Sequence, residues 1–275
     1  MDLKEEDILG SEIGRHWYYR SKAAALRRMV DGLAPRRLLD VGAGSGFFSR
    51  HLLAEGDAES ALCVDVGYAR DRDENVAGKP VRYRRDCGPT DCDLVLMMDV
   101  LEHVDDDSGL VRHYAAKVPS GAHFLATVPA FRFLWSGHDV FLEHRRRYRL
   151  DEIELTMRMA GLDLVRGAYY FGFVFPLAAA VRLSTRGEAV PKSSLRKHGA
   201  FANATLAALC AAELPFLPVN RLAGLSAFVL ARKPLSRERA TSKKQDQRPS
   251  HCRVIPSESE GSLAAPIKDP SLRSG

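Results

Sequence analysis

Two short stretches of the chain hold the side chains best suited to acid–base or metal chemistry. In Asp99-Val100-Leu101-Glu102-His103-Val104, two carboxylates and an imidazole recur at i, i+3 and i+4, so one helical turn places them on a common face. The second stretch, HDVFLEHRRRYRLDEI from His138, supplies Asp139, Glu143, His144 and a run of arginines. Asp99, Glu102 and His103, with His144 returning from the later loop, form a candidate divalent-metal set, because mixed carboxylate and imidazole ligands suit such ions. A metal held there would acidify a hydroxyl. Without one, His103 or His144 can act as a general base, Asp99 can contact a bound cofactor, or the turn can be purely structural. The arginine forks of His144 to Arg149 suit a phosphate or carboxylate, or else a solvated helix entrance.

A different chemistry is written in LLDVGAGSGFF, Leu38 to Phe48. An apolar run ends in Asp40, and Gly42, Gly44 and Gly46 follow at alternate positions. A dinucleotide loop needs its third glycine where Phe47 stands. The spacing D-x-G-x-G-x-G still allows close backbone approach and leads into a helix N-terminus. The carboxylate of Asp40 suits a ligand that carries an ammonium group. Asp65 ends the next apolar run roughly twenty residues on, where an acid can take ribose hydroxyls. Asp86 ends the third, near where an adenine amino group would lie.

Taken together, DVGAGSG from Asp40, Val64-Asp65, DLVLMMDVLEH from Asp93, PSGA from Pro119 and TVP from Thr127 resemble the class I S-adenosylmethionine-dependent methyltransferases. The resemblance is to the broad group whose fourth strand runs into LEHV, and it covers about residues 35 to 165. It implies a Rossmann-like α/β fold: a seven-stranded, mostly parallel sheet with helices on both faces, its last strand antiparallel and preceded here by a helical insert. It implies S-adenosylmethionine as cofactor, held by Asp40, Gly42, Gly44, Gly46, Asp65, Asp86 and Asp99. Ubiquinone-pathway O-methyltransferases and small-RNA 2′-O-methyltransferases show a similar E-x-x-E-H pattern with a later histidine; the first acid here is the shorter Asp99. The charged link GYARDRDENVAGKP, Gly67 to Pro80, leaves little room for the family's usual helix. His16-Trp17-Tyr18-Tyr19 can close over the cofactor as N-terminal segments do in the family, or simply pack. Trp135 to Arg182 is similar to a bacterial subgroup associated with lipid or glycan assembly.

The elements that must position these residues follow the same order. Strands are expected at 38–41, 61–66, 81–86, 93–98 and 123–128, with helices between them, which is the pattern of a parallel α/β sheet. Helices are expected over Glu12 to Val30, Phe47 to Ala54, Ser108 to Lys117 with Ser108 as N-cap, and Arg149 to Ala160 closed by Gly161. Two last strands, 162–165 and 226–231, bracket an insert of about 167–225 with two apolar helices and a basic hinge, Arg186 to His198. The methyltransferase domain is expected over 1–234, and the Ser-, Lys- and Arg-rich residues 235–275 as a disordered tail.

Bulk properties narrow the partners. Five cysteines, an odd number without a CxxC pair, indicate a reducing, cytoplasmic compartment. A net charge of +5 is mild, and no aromatic-and-basic module is appended, which argues against nucleic acid. Tyr169 to Val181 and Phe201 to Leu217 read as core or interfacial helices rather than membrane spans, compatible with peripheral membrane contact. The expectation is therefore methylation of a small-molecule or lipid-like acceptor at oxygen. Its alternatives are an RNA 2′-O-methyltransferase and a non-catalytic cofactor-binding scaffold.

Overall fold

The apolar runs assemble into a single eight-stranded sheet in the computed structural model, which describes residues 10–184 and 199–235. The strands are β1 (Arg37–Val41), β2 (Ser60–Val64), β3 (Arg72–Val76), β4 (Lys79–Arg84), β5 (Leu94–Met98), β6 (His123–Pro129), β7 (Asp163–Tyr170) and β8 (Ser226–Arg232). Their order is β3-β4-β2-β1-β5-β6-β8-β7. The five strands from β4 to β6 in that order pair in parallel, and β8 runs antiparallel to both β6 and β7. The helices are α1 (Trp17–Met29), α2 (Phe47–Glu55), α3 (Asp107–Lys117), α4 (Gly137–Phe141), α5 (Leu150–Met159), α6 (Phe175–Ser184) and α7 (Ala200–Glu213).

Strand alternation divides the core into two layers. Leu38, Leu94, Leu96 and Met98 point to the face covered by Leu26 and Met29 of α1 and Phe48 and Leu52 of α2. Leu39, Val41, Val95 and Met97 point to the face covered by Val111 of α3 and Ile153 and Met157 of α5. All five residues of β5 are buried, so its carboxyl end delivers Asp99 into the middle of the molecule.

Three local expectations are corrected. The sheet has eight strands rather than seven, because the charged link folds as the antiparallel hairpin β3–β4, with Ala77 (φ 52°) and Gly78 (φ 82°) making its two-residue turn. Asp106, not Ser108, caps α3, accepting from the Gly109 amide at 2.7 Å. Strand β7 continues to Tyr170, so the insert begins at Phe171. The helical segment Ala200–Val219, α7 with its 3₁₀ extension, is long and apolar enough by length and composition to cross a membrane, yet it is tied to the sheet domain through Cys210 and Glu213. The basic hinge and the expected tail from 236 onward lie outside the described residues.

Candidate active site

Gly42, Gly44 and Gly46 all take positive φ (63°, 55° and 74°), which explains why the loop between β1 and α2 alternates glycine. A Cβ on Gly42 would lie 2.7 Å from the Val100 side chain, and one on Gly46 would lie 2.7 Å from the Tyr83 hydroxyl. The first contact sets the loop directly against the corner after β5. Asp65 braces the loop by accepting from the Gly44 amide at 3.0 Å and the Gly67 amide at 2.8 Å. The Ser45 hydroxyl is buried without a hydrogen-bond partner, an arrangement that a bound polar ligand would relieve. Asp40 is buried and accepts from the Ser49 hydroxyl at 2.7 Å, tying β1 to the first turn of α2. Burial lifts its carboxyl to about 6 against the opposing Ser49 hydrogen bond. Asp86, two residues beyond the end of β4, is 79% exposed and paired with Lys117 at 3.0 Å.

The corner after β5 is built on a strained residue. Asp99 adopts φ 54°, uncommon outside glycine. One carboxylate oxygen accepts from the Thr127 hydroxyl at 3.0 Å, and the other accepts from the Lys22 ammonium. Lys22 comes from the middle of α1 and is fully buried. Burial by itself lowers an ammonium, but Asp99 and then Tyr18 outweigh it and hold Lys22 above its ordinary value. Burial likewise opposes the Asp99 charge, and Lys22 overcomes it, keeping the carboxyl below the usual carboxylate range.

The 3₁₀ turn Leu101–His103 follows at once. Glu102 is fully buried, and both its carboxylate oxygens lack a hydrogen-bond partner. Burial, then the neighbouring Asp99, raises its carboxyl well above the ordinary range. One ligand atom each from Glu102, His103 and His144 lie within 4.8 Å of one another. Three of the four candidate metal ligands are thus gathered. The fourth, Asp99, is turned to Lys22 and Thr127.

His144 is placed by a buried network that the sequence does not single out. Its Nδ1 lies 3.0 Å from Asp139, a fully buried carboxylate. Arg147 clamps Asp139 with two donors at 2.6 and 3.0 Å, and the Ser136 amide donates at 2.8 Å. Although burial opposes it, the hydrogen bond from His144 and the charge of Arg147 hold Asp139 well below the ordinary carboxylate range. A carboxylate on Nδ1 fixes the tautomer and leaves Nε2 for the site. The Arg145 amide donates to the Glu102 carbonyl at 2.8 Å, which ties the two stretches together. The remaining arginines of the run engage protein carboxylates: Arg145 with Asp105, Arg146 with Asp107 and Arg149 with Asp151.

A cavity of about 320 Å³ opens beside this cluster. Asp99, Glu102, His103 and His144 form its polar end, and Trp17, Tyr18, Leu177, Val181 and Leu206 are among its apolar walls. Tyr18 stacks on Phe171 with ring centroids 5.1 Å apart, while Tyr19 packs in the core against Phe47 and Phe48. The N-terminal aromatics thus divide between cavity wall and packing. His138 and Arg182 also line the cavity. Burial, then Arg182, lowers His138 to about 4, so it is neutral near pH 7.

Comparison with known proteins agrees with this geometry. Residues 15–166, more than half of the chain, match a family model described as a methyltransferase domain. A ubiquinone biosynthesis O-methyltransferase from Proteus mirabilis is 28% identical over 49% of this chain and 64% of its own length. Another from Paramagnetospirillum magneticum is 36% identical over 37% of this chain and 42% of its own length. A third, from Cupriavidus pinatubonensis, is 27% identical over 62% of this chain and 82% of its own length. The chain therefore spans less than two thirds of the first two of these relatives.

Proposed function

The chain belongs to the methyltransferase domain family, and from that premise we propose that it transfers a methyl group from S-adenosylmethionine to a hydroxyl oxygen of a small, lipid-like acceptor. The observation that carries the reading is the buried, unpartnered Glu102 beside His103 and His144, at the polar end of an otherwise largely apolar cavity.

Bound S-adenosylmethionine supplies an electrophilic methyl on a sulfonium. The residues present fit it. The Gly42–Gly46 loop carries no side chain at its three glycines, Ser45 offers a buried hydroxyl without a hydrogen-bond partner, and Asp65 accepts from the Gly44 amide beside it. Asp99 and Lys22 fix the corner that the loop abuts through Val100. The acceptor's apolar body would lie against Trp17, Tyr18, Leu177 and Val181, with its hydroxyl toward His103 and His144. One of these imidazoles takes the hydroxyl proton as the oxygen attacks, His144 being oriented for this by Asp139.

Glu102, His103 and His144 also fit a divalent metal, because a buried carboxylate with no donor is costly unless it is protonated or ligates an ion. Such an ion would make the acceptor hydroxyl more acidic. Domain limits of 1–234 and binding contributions from Asp40 and Asp86 belong to the same proposal.

The test is transfer of radiolabelled methyl from S-adenosylmethionine to a panel of phenol-headed amphiphiles, with and without Mg²⁺, Mn²⁺ or Zn²⁺. Label recovered as an O-methyl ether supports the reading. Label on nitrogen or carbon alone, or on an oligoribonucleotide in preference to every amphiphile, would replace it.

A further inference from the structure

The charges around the cavity do not cancel. Among the described residues that line it are the carboxylates Asp99 and Glu102 and the guanidinium groups Arg147 and Arg182. Asp99 faces the buried Lys22. Arg147 is spent on Asp139 through Nε and Nη2, and on the Ala130 carbonyl through Nη1 at 3.0 Å. Burial, then the Asp99 charge, disfavours the ionised form of Glu102, and a metal ion held there would add positive charge to the cavity. Arg182 donates through Nη1 to the Leu134 carbonyl at 3.2 Å, a neutral group. Burial, then the like charge of Arg147, lowers its guanidinium to about 10, against the pull of an Asp139 already clamped by Arg147 and His144. It therefore keeps its charge near pH 7 in a place that opposes charge, and the cavity is net positive. S-adenosylmethionine, with a sulfonium and an ammonium against one carboxylate, would add to that surplus.

The fold aims Arg182 at the acceptor's place. Ala178, Val181 and Arg182 recur at i, i+3 and i+4 on α6, and all three line the cavity. Leu134, which accepts from Arg182, ends the 3₁₀ turn Arg132–Leu134 after β6 and is fully buried, so the guanidinium is tethered inward. The charge of Arg182 reaches His138, whose ring centroid lies 6.5 Å from that of His144. The cavity thus offers two polar places within largely apolar walls. One is the Glu102–His103–His144 cluster, suited to a hydroxyl. The other is the guanidinium near His138, and a guanidinium fork matches a carboxylate or a phosphate.

We infer that Arg182 is a specificity-determining residue that receives an anionic group of the acceptor, a carboxylate or a phosphate, so that the substrate class is an acidic hydroxylated amphiphile and not a neutral one. The anion site stands on the cavity itself, and its role in acceptor choice rests on the methyl-transfer reading.

The test is calorimetric titration of the full chain with para-hydroxyphenylacetate, para-hydroxybenzylphosphonate and the uncharged methyl ester of the first. The titrations are repeated on R182M and R182K, with melting temperature and S-adenosylhomocysteine affinity measured on the same preparations. At least one of the two acids is expected to bind the wild type roughly tenfold or more tighter than the ester, and the better of the two identifies the anion the site takes. R182M is expected to lose that preference with ester and S-adenosylhomocysteine affinities unchanged, and R182K to keep part of it. An ester bound as tightly as both acids, no binding of either acid, or an R182M variant that keeps the preference overturns the assignment. So does an R182M variant that melts like the wild type but loses S-adenosylhomocysteine affinity, since the cofactor's own carboxylate would then be the anion at Arg182. Intact S-adenosylhomocysteine affinity with no preference for an acid removes the anion site and leaves the methyl-transfer reading standing; a preference for an acid without cofactor affinity does the reverse.

Discussion

His103 and His144 lie ring against ring, with centroids 4.8 Å apart and planes 80° apart, although one ends a 3₁₀ turn and the other belongs to a distant loop. Their meeting depends on Asp139, which holds Nδ1 of His144 and is itself clamped by Arg147. The chain thus brings together a pre-oriented imidazole, a second imidazole and the unpartnered Glu102 carboxyl at one end of an apolar cavity.

H103A and H144A should each lower methyl transfer by about a hundredfold or more, while affinity for S-adenosylhomocysteine stays as in the wild type. Single-turnover rates and calorimetry separate the two effects. Unchanged rates in both variants would move proton removal to another group.

Gly42→Ala should weaken cofactor binding and cost about 1–3 kcal/mol of stability. The new methyl meets Val100 at 2.7 Å, and the residue must keep φ 63°. Thermal melting with and without S-adenosylhomocysteine reads both effects. A variant that melts and binds like the wild type would show that the loop relaxes freely.

Lys22→Met should cost up to about 3–5 kcal/mol, because it leaves the partly buried Asp99 carboxylate without its buried counter-charge. Adding Asp99→Asn should restore most of that stability, as the charge requiring a partner is then gone. Urea denaturation of the single and double variants provides the cycle. Equal stability of the two would deny the coupling.

Asp40 gives a pH signature of defined sign. Its carboxyl is raised from 3.8 to about 6 by burial, so the folded state favours the protonated form. That contribution is complete below the ordinary aspartate value and is lost as pH rises through about 6, a change of about 3 kcal/mol. Wild type should therefore lose stability relative to Asp40→Asn from about pH 4 to about pH 6, and the difference should level off above that. A stability difference that is flat in pH would show that the carboxyl titrates normally.

Much of this arrangement can be read from the sequence because short-range rules govern it. Alternating Gly42, Gly44 and Gly46 announce a loop of left-handed residues, and the buried run Leu94–Met98 must end at Asp99. What escapes sequence reading depends on long-range contact. Lys22 sits on the apolar stripe of α1 with Tyr19, Leu26 and Met29, a position where a lysine signals a buried partner, yet nothing local identifies Asp99 as that partner. Asp139 looks like one acid among many until Arg147 and His144 converge on it. The β3–β4 hairpin is hidden by its charge, since Arg84 and Asp73 pair across an edge rather than alternating with apolar residues. The outer stripe of α7 is visible as composition, but only the buried row of Cys210, Glu213 and Leu217 reveals which side is left uncovered.

The central claim is that the Gly42–Gly46 loop and the Asp99 corner hold the adenosyl cofactor next to a metal-competent Glu102–His103–His144 cluster. Titration calorimetry with S-adenosylhomocysteine on chelator-stripped protein, repeated with Mn²⁺ present, tests it most directly. The account predicts saturable one-site binding in both titrations, with a binding heat that changes when the metal is added. Folded protein that takes up no S-adenosylhomocysteine in either condition would contradict it.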